Sequence, residues 1–572
     1  MENFSLTTLD IGIMIAYAVI IILYGLSKAK RGSSEEYFLA GRNMVWPIVG
    51  ISLFAANISS TTLIGLAGDA YSGSIAVYNY EWMAAVVLVI FGIFFMPFYL
   101  KSGVYTMPEF LERRFDARSR YYFSFITVVG NVIIDTAAGL YAGNLILKIL
   151  FPEIDSIILI VGLALLAAAY TIPGGLSSVV HTEVIQAILL MIGSVLLTYY
   201  CFAHPDVGGW SGLMEGLQSQ FEAGKIPSPP DEVLSLVRPI DDEAMPWTGL
   251  LFGVPLLGFY FWANNQFMVQ RVLSAKDLNH GRWGALFAGL LKLPVLFIMV
   301  FPGLAAVILF ADLDISSLNY QIADGTVCER LADCPNMSYP VLIFQLLPSG
   351  ILGLVVAGIL AALSSSISAT LNSASTLITM DFVNKINPSL TSKQLVRVGQ
   401  IATIILVILA AAWAPQIEKF RSLFQYLQLI LTFIAPPIVA AFIAGLFYKR
   451  ANGHGAFAGL MTGFGIGAIL MTSRVLADQN GAETLPGFLQ SLNAIHFLHL
   501  APILLVVCYA VIILVSHATA PPAPEKVASL TWTKQFFHEE TEELKGLPWY
   551  KNFRILSVLL LILTAIIVVM FW

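Results

Sequence analysis

Charge is what this chain is short of. Only 12% of its 572 residues are Asp, Glu, Lys or Arg, while 58% are hydrophobic. Soluble domains carry about 25% charged residues, so the deficit excludes a water-soluble protein of this length. The net charge of −6 offers no basic surface for nucleic acid. Cysteine is also scarce, with four residues. Cys201 and Cys508 fall in apolar runs and read as packing residues. Cys328 and Cys334 share a loop, where a disulfide is permitted, although spacing alone does not set its geometry. No cysteine pattern reads as a zinc site. Strict apolar/polar alternation is missing too, which excludes a membrane β-barrel.

What is present is a series of continuous apolar runs. A spanning helix needs about 20 apolar residues. Fourteen runs qualify, near 10–27, 44–68, 80–99, 121–147, 156–172, 184–203, 246–268, 284–311, 340–377, 398–414, 423–447, 455–473, 496–516 and 553–572. The chain therefore reads as an all-α polytopic membrane protein of about 14 transmembrane helices. Run 340–377 is long enough for a short surface helix plus a span. With the N-terminus outside, 22 of the 30 Lys and Arg fall in inner loops and 7 in outer ones, as the positive-inside rule requires. Both termini are thus expected outside, in the plasma (cell inner) membrane. The first run lacks a small-residue cleavage site and is expected to be retained.

The chain reads as one membrane domain, 1–572. Its longest loops are 204–245 and 312–339 outside and 517–552 inside, the last with an acidic stretch, His538 to Glu543, expected to be a solvated linker or a surface helix. Two spans look interrupted. The second carries Asn57-Ile58-Ser59-Ser60-Thr61-Thr62 at its centre, residues whose side chains compete for backbone hydrogen bonds. The seventh carries Pro255 and Gly258, and proline removes a backbone donor. Broken backbone at membrane depth is tolerated only where protein or water satisfies it. Five spans apart, the two cross in opposite directions. That arrangement predicts two inverted five-helix repeats, 44–203 and 246–447, with a binding site between them. Residues 10–27 and 455–572 are then additional.

Lys292 lies inside an otherwise apolar run, Leu286 to Ile298. A charge at that depth costs several kcal/mol without a partner or a wet cavity, so Lys292 points to a cavity for a hydrophilic ligand. Glu81, at the outer start of the third span, is either a solvated helix-end carboxylate or the partner of Lys292. Ala362, Ser365 and Ser366 share one face of the ninth span. They suit close helix packing. They also suit a neutral oxygen cage for Na+, completed by carbonyls near Ala55 and Ile58. Asp135, well inside the fourth span, either pairs structurally or lines a pathway. His181 and Glu183 follow Pro173-Gly174-Gly175, where a first-turn acid suits the helix dipole. Gln428 needs a hydrogen-bond partner, and Asn336-Met337-Ser338 is a glycosylation sequon.

Ala40-Gly41-Arg42, Ser52 to Ser59, Tyr80-Glu81-Trp82, Gly174-Gly175-Leu176, Gln270-Arg271, Leu371-Asn372-Ser373 and Thr379-Met380-Asp381 together resemble the sodium/solute symporter family, and most closely its sodium–glucose cotransporter branch. The likeness runs from about residue 10 to about residue 515. It implies the leucine-transporter-type 5+5 inverted repeat with two discontinuous helices, and alternating access driven by Na+ as coupling ion. It implies a sodium site at Ala55, Ile58, Ala362, Ser365 and Ser366, and solute contacts at Asn57, Glu81, Trp262, Lys292 and Gln428. Thr62 stands where the branch has Gln or His, Gly258 where it has Asn or Thr, and the gate residue Phe261 where it has Tyr. A pocket without three polar groups supports a sugar or sugar-like polyol rather than glucose. Ser368 fits a second sodium site known in some members, but Ala369 lacks the hydroxyl such a site wants and Glu183 replaces an Asp. One Na+ per solute is therefore expected. The alternatives are the same fold carrying inositol, an amino acid or a monocarboxylate and, more remotely, a membrane sensor or channel. The chain ends in its fourteenth run with no signalling domain, which disfavours a sensor. An enzyme is not expected, because no motif joins a nucleophile, a base and an oxyanion donor.

Overall fold

The computed structural model describes residues 6–151, 153–316, 327–419 and 423–572. Among them secondary structure is helical, with three isolated bridges and no strand. The membrane helices, numbered here in chain order, are α1 (Thr8–Ser27), α2 (Trp46–Asn57), α3 (Ser60–Ser72), α4 (Ile75–Ser102), α5 (Ala117–Leu150), α6 (Ser156–Ala203), α7 (Trp247–Phe259), α8 (Gln266–Leu273), α9 (Leu278–Lys292), α10 (Leu296–Phe310), α11 (Ile351–Ile386), α12 (Ser392–Ile417), α13 (Leu423–Phe447), α14 (Gly453–Asn480), α15 (Phe497–Ala518) and α16 (Phe553–Met570). Ten helices are long and apolar enough to span, or up to twelve if each of two bent pairs is one span. The expected fourteen is not reached on that criterion. The fifth and sixth runs lie in the single 48-residue α6, and the seventh is divided between α7 and α8.

The second span breaks where the sequence weakens it. α2 ends at Asn57, Ile58 is extended (ψ 97°), and Ser59 caps α3 by accepting the Thr62 N–H. The two halves meet at 57°. The seventh does not break at Pro255 or Gly258, which lie within continuous helix. It continues through a wide π turn, Tyr260–Asn264, and stops at Asn265. There the N–H of Asn265 donates to Tyr260 O at 2.8 Å, and its side chain caps α8. One proline removes a single donor, whereas the Asn supplies a competing acceptor that ends the ladder. A third bend, 41° between α9 and α10, follows directly on Lys292. Pro294 lies at that bend. α6 is interrupted at Gly175 (φ 59°, ψ −155°), just after Pro173, and there α6 meets the Tyr37 carbonyl.

α11 is the most buried membrane helix and packs along α6. As run 340–377 suggests, a short helix, Ser338–Leu346, precedes it. The loop before this helix contains a Cys328–Cys334 disulfide with Cα atoms 6.1 Å apart. Cys201 and Cys508 are buried and free. Asn336 is half-buried against Gly68, a poor place for a glycan. Of the two readings of the acidic stretch, a solvated linker or a surface helix, the structure has the helix, with one of its acids buried. The stretch forms helix Lys534–Leu544, whose buried Glu540 pairs with Arg282 at 2.5 Å and Arg554 at 2.7 Å. Arg114, fully buried on the short helix Met107–Arg114, donates to the carbonyls of Gly445, Tyr448 and Ala451 at 2.7–3.0 Å. It thereby satisfies the free carbonyls at the C-terminus of α13.

Candidate functional site

Two of the breaks, between α2 and α3 and between α7 and α8, border a cavity of about 160 Å³. Its walls are the α2–α3 break, α4, α5, α7, α11 and α13. Asn57, Glu81, Trp262 and Gln428, four of the five expected solute contacts, line it together with the three departing positions Thr62, Gly258 and Phe261. Lys292 stands behind them, fully buried. Its ammonium donates to the Glu81 carboxylate and to the Asn57 side-chain oxygen. The rings of Phe54 and Trp262 lie 5.6 and 5.7 Å from it, within cation–π range. The Tyr78 hydroxyl donates to Leu293 O at 2.8 Å and fixes the turn beyond the lysine. Glu81 is 5% exposed, so the reading of a solvated helix-end acid gives way to that of a buried pair. Each partner offsets the other's desolvation, and carboxylate and amide oxygens remain available to hydroxyls.

The neutral side of the pocket differs. Thr62 is not free for a ligand, because its hydroxyl lies 3.3 Å from Asn57 O and 3.2 Å from the Ser59 hydroxyl. Phe261 packs edge-on against Trp262 and Phe267, each at 5.4 Å.

Two of the five expected sodium ligands, Ser365 and Ala55, meet across the α2–α11 contact. Ala55, Ile58, Ala362 and Ser365 are buried at the α2 end and on α11, and the Ser365 hydroxyl donates to Ala55 O at 3.4 Å. The buried Ser366 hydroxyl has no partner. The Ser365 hydroxyl at a carbonyl of the α2 end, with the unpartnered Ser366 hydroxyl next to it in sequence, is a fitting donor set for a hard monovalent cation. Ser368 is engaged elsewhere, donating to the Tyr170 hydroxyl at 2.8 Å and to Ala167 O at 3.4 Å.

Glu183 requires a correction. It lies eight residues beyond the Gly175 break rather than in a first turn, and is fully buried. It accepts from Ser52 and is held by Arg271 through two guanidinium nitrogens, Nε at 3.1 Å. Burial, not the dipole, explains the pairing. Only Gln270-Arg271 beside an apolar helix hinted at it in the sequence. His181 is half-buried, its Nδ1 2.7 Å from Ser177 O.

Outside this cavity is a vestibule of about 630 Å³, sharing Tyr80 and Gln428 with it. In the vestibule wall Asp242 is pushed up by burial. Arg238 and the N–H groups of Met245 and Ala244 outweigh this and hold it below the usual carboxylate range. Burial holds His496 below its ordinary value. Tyr80 escaped the sequence reading, although it adjoins Glu81. A small cavity of about 40 Å³ shares Asp135 and Leu431 with the main one.

A helical membrane protein with a charge-lined cavity enclosed between broken helices is a secondary transporter. The family model described as the sodium:solute symporter family matches residues 37–463. Sodium/glucose cotransporter 4 of Danio rerio is 35% identical over 567 residues, covering 96% of this chain and 84% of the relative. Sodium/myo-inositol cotransporter 2 of Homo sapiens is 35% identical over 542 residues, covering 91% and 78%. A Na+-coupled sialic acid symporter, solved in a substrate-bound outward-open state, superposes with a TM-score of 0.72 at 23% identity, covering 91% of this chain and 99% of that one. The chain belongs to the sodium:solute symporter family. It is a multi-pass membrane transporter of the leucine-transporter-type fold, coupled to Na+ and a small solute, and not an enzyme.

Proposed function

We propose that this symporter imports a sugar or sugar-like polyol across the plasma membrane, with both termini outside. The carrying observation is the buried Lys292–Glu81–Asn57 constellation at the cavity wall. A neutral ion pair with spare acceptors binds hydroxyls without demanding a charged ligand, and it leaves Lys292 no free charge for an amino acid or monocarboxylate. Relatives named for glucose and for myo-inositol, both near 35% identity, support the same class. Na+ binds among Ala55, Ile58, Ala362, Ser365 and Ser366. The solute docks against Asn57, Glu81 and Gln428, with Trp262 and Phe261 as the apolar floor. The repeats 44–203 and 246–447 then rock against each other to release both ligands inward. Na+-dependent uptake in proteoliposomes across sugars, polyols, amino acids and short acids tests this. Gradient-driven uptake confined to polyhydroxylated solutes is expected, and selective uptake of acids or amino acids overturns it.

A further inference from the structure

Asp135 has no part in the transport scheme so far. It lies on α5 inside a second wide π turn, Gly130–Thr136, a feature frequent at functional sites. Asp135 lines both the main cavity and the small one that shares residues with it. Among the described residues it forms no hydrogen bond and no salt bridge. Nearby groups are already engaged. Lys292 is held by Glu81 and Asn57. Asn131, four residues earlier, donates to Ser373 at 2.9 Å, and the Thr136 and Thr370 hydroxyls meet at 2.7 Å.

When ionised, the cavity holds two carboxylates to one ammonium, a net charge of minus one. An unpaired anion at membrane depth is costly, and no cation of the described chain offsets this one. The three substitutions on the neutral side sharpen the point. Thr62 is tied to the backbone, Gly258 has no side chain and Phe261 is apolar. Asp135 is thus a strong recognition group on a wall otherwise poor in them.

We infer that the transported solute carries an ammonium group that pairs with Asp135. Its class is an amine-bearing sugar or cyclitol, whose hydroxyls meet Glu81, Asn57 and Gln428. This rests on the sugar-like reading above and narrows it.

The full chain in proteoliposomes under a Na+ gradient tests the pairing, in neutral buffer, where the amines are still largely protonated and the carboxylate is not titrated away by added acid. Labelled glucosamine is compared with glucose and N-acetylglucosamine, and amino-inositol with inositol. Each amine is expected to half-saturate uptake at a concentration about tenfold lower than its neutral counterparts, the effect of one charge-assisted hydrogen bond. Asp135→Asn erases the difference, while Asp135→Glu, which keeps the charge, retains it. Amine transport carries one more charge per solute than neutral transport. Equal affinities in the wild type, or a preference that survives Asp135→Asn, overturn the inference. So does an Asp135→Asn variant that raises the Na+ requirement equally for amine and neutral solutes, which makes Asp135 part of the ion site. Uptake of neutral sugars with no favour for amines defeats the pairing alone. Uptake of no member of the panel defeats the sugar-like reading as well.

Discussion

Lys292 and Glu81 are two halves of one buried pair, and their separate removal has different consequences. Replacing one partner of such a pair costs about 3–5 kcal/mol, because the other is left buried and uncompensated. Lys292→Met is therefore expected to lower the apparent Tm in detergent and to abolish uptake. The double variant Lys292→Met/Glu81→Gln is expected to recover most of the Tm and none of the uptake. Recovery of uptake in the double variant would show that the pair is structural only. The sodium cage admits an equally local test, because adjacent hydroxyls face different ways. Ser365 meets Ala55 O, whereas Ser364 is bonded to Tyr17 at 3.0 Å and Gln186 at 2.9 Å, behind the helix. Ser365→Ala is expected to raise the half-saturating Na+ concentration about tenfold, as losing a ligand worth 1–2 kcal/mol would. Ser364→Ala is expected to leave it unchanged while weakening the fold. Sodium titration of uptake separates the two. Lys292 was legible in the sequence because a lone cation in an apolar run has no other explanation. Glu183 was not, because its partner Arg271 is 88 residues away, and nothing in the spacing joins them.

Helix breaks were legible only where several competing side chains cluster. Asn57 to Thr62 supplies five consecutive side-chain competitors apart from Ile58, and the chain breaks among them. Pro255 stands almost alone, and the helix absorbs it; the real stop, Asn265, is one Asn among apolar neighbours and is far quieter in the sequence. The adjoining fifth and sixth runs meet without a loop because Gly175 turns the chain within α6. Its φ of 59° with ψ of −155° lies in a region open essentially to glycine alone. An added Cβ would also stand 2.3 Å from Tyr37 O. Gly175→Ala is therefore expected to cost more than about 2 kcal/mol and to lower the apparent Tm and the yield of folded transporter together. Gly162→Ala, on the same helix with no atom within 4 Å of the new methyl, is the matched control and should change neither. Equal behaviour of the two in a thermal-unfolding assay would show that α6 does not need this backbone turn.

At the scale of the whole molecule the question is how many ions move per solute, because that sets how far the transporter can concentrate. The proposed sodium cage lies on the α2–α11 side, where Ser365 meets Ala55 O. The groups that would build a second are already bonded to the protein: Ser368 to Tyr170 and Ala167, and Glu183 to Arg271 and Ser52. Ala369, next to Ser368, has no hydroxyl to contribute. These contacts predict one Na+ per solute. A single ion falling through 100 mV and a tenfold concentration gradient supplies about 3.7 kcal/mol, enough for an accumulation of about 500-fold of a neutral solute. A second ion would square that factor. Parallel uptake of labelled Na+ and a labelled neutral polyol, measured at clamped potential, is expected to give a flux ratio near one. The limiting accumulation is expected to rise about tenfold, not a hundredfold, for each tenfold increase in the Na+ gradient. A neutral solute is essential here, since an amine would add its own charge to the electrical count without adding an ion. A ratio near two would mean that the Ser368 and Glu183 contacts open during the cycle to admit another ion, and the α6–α11 interface would then be a moving part rather than a fixed wall.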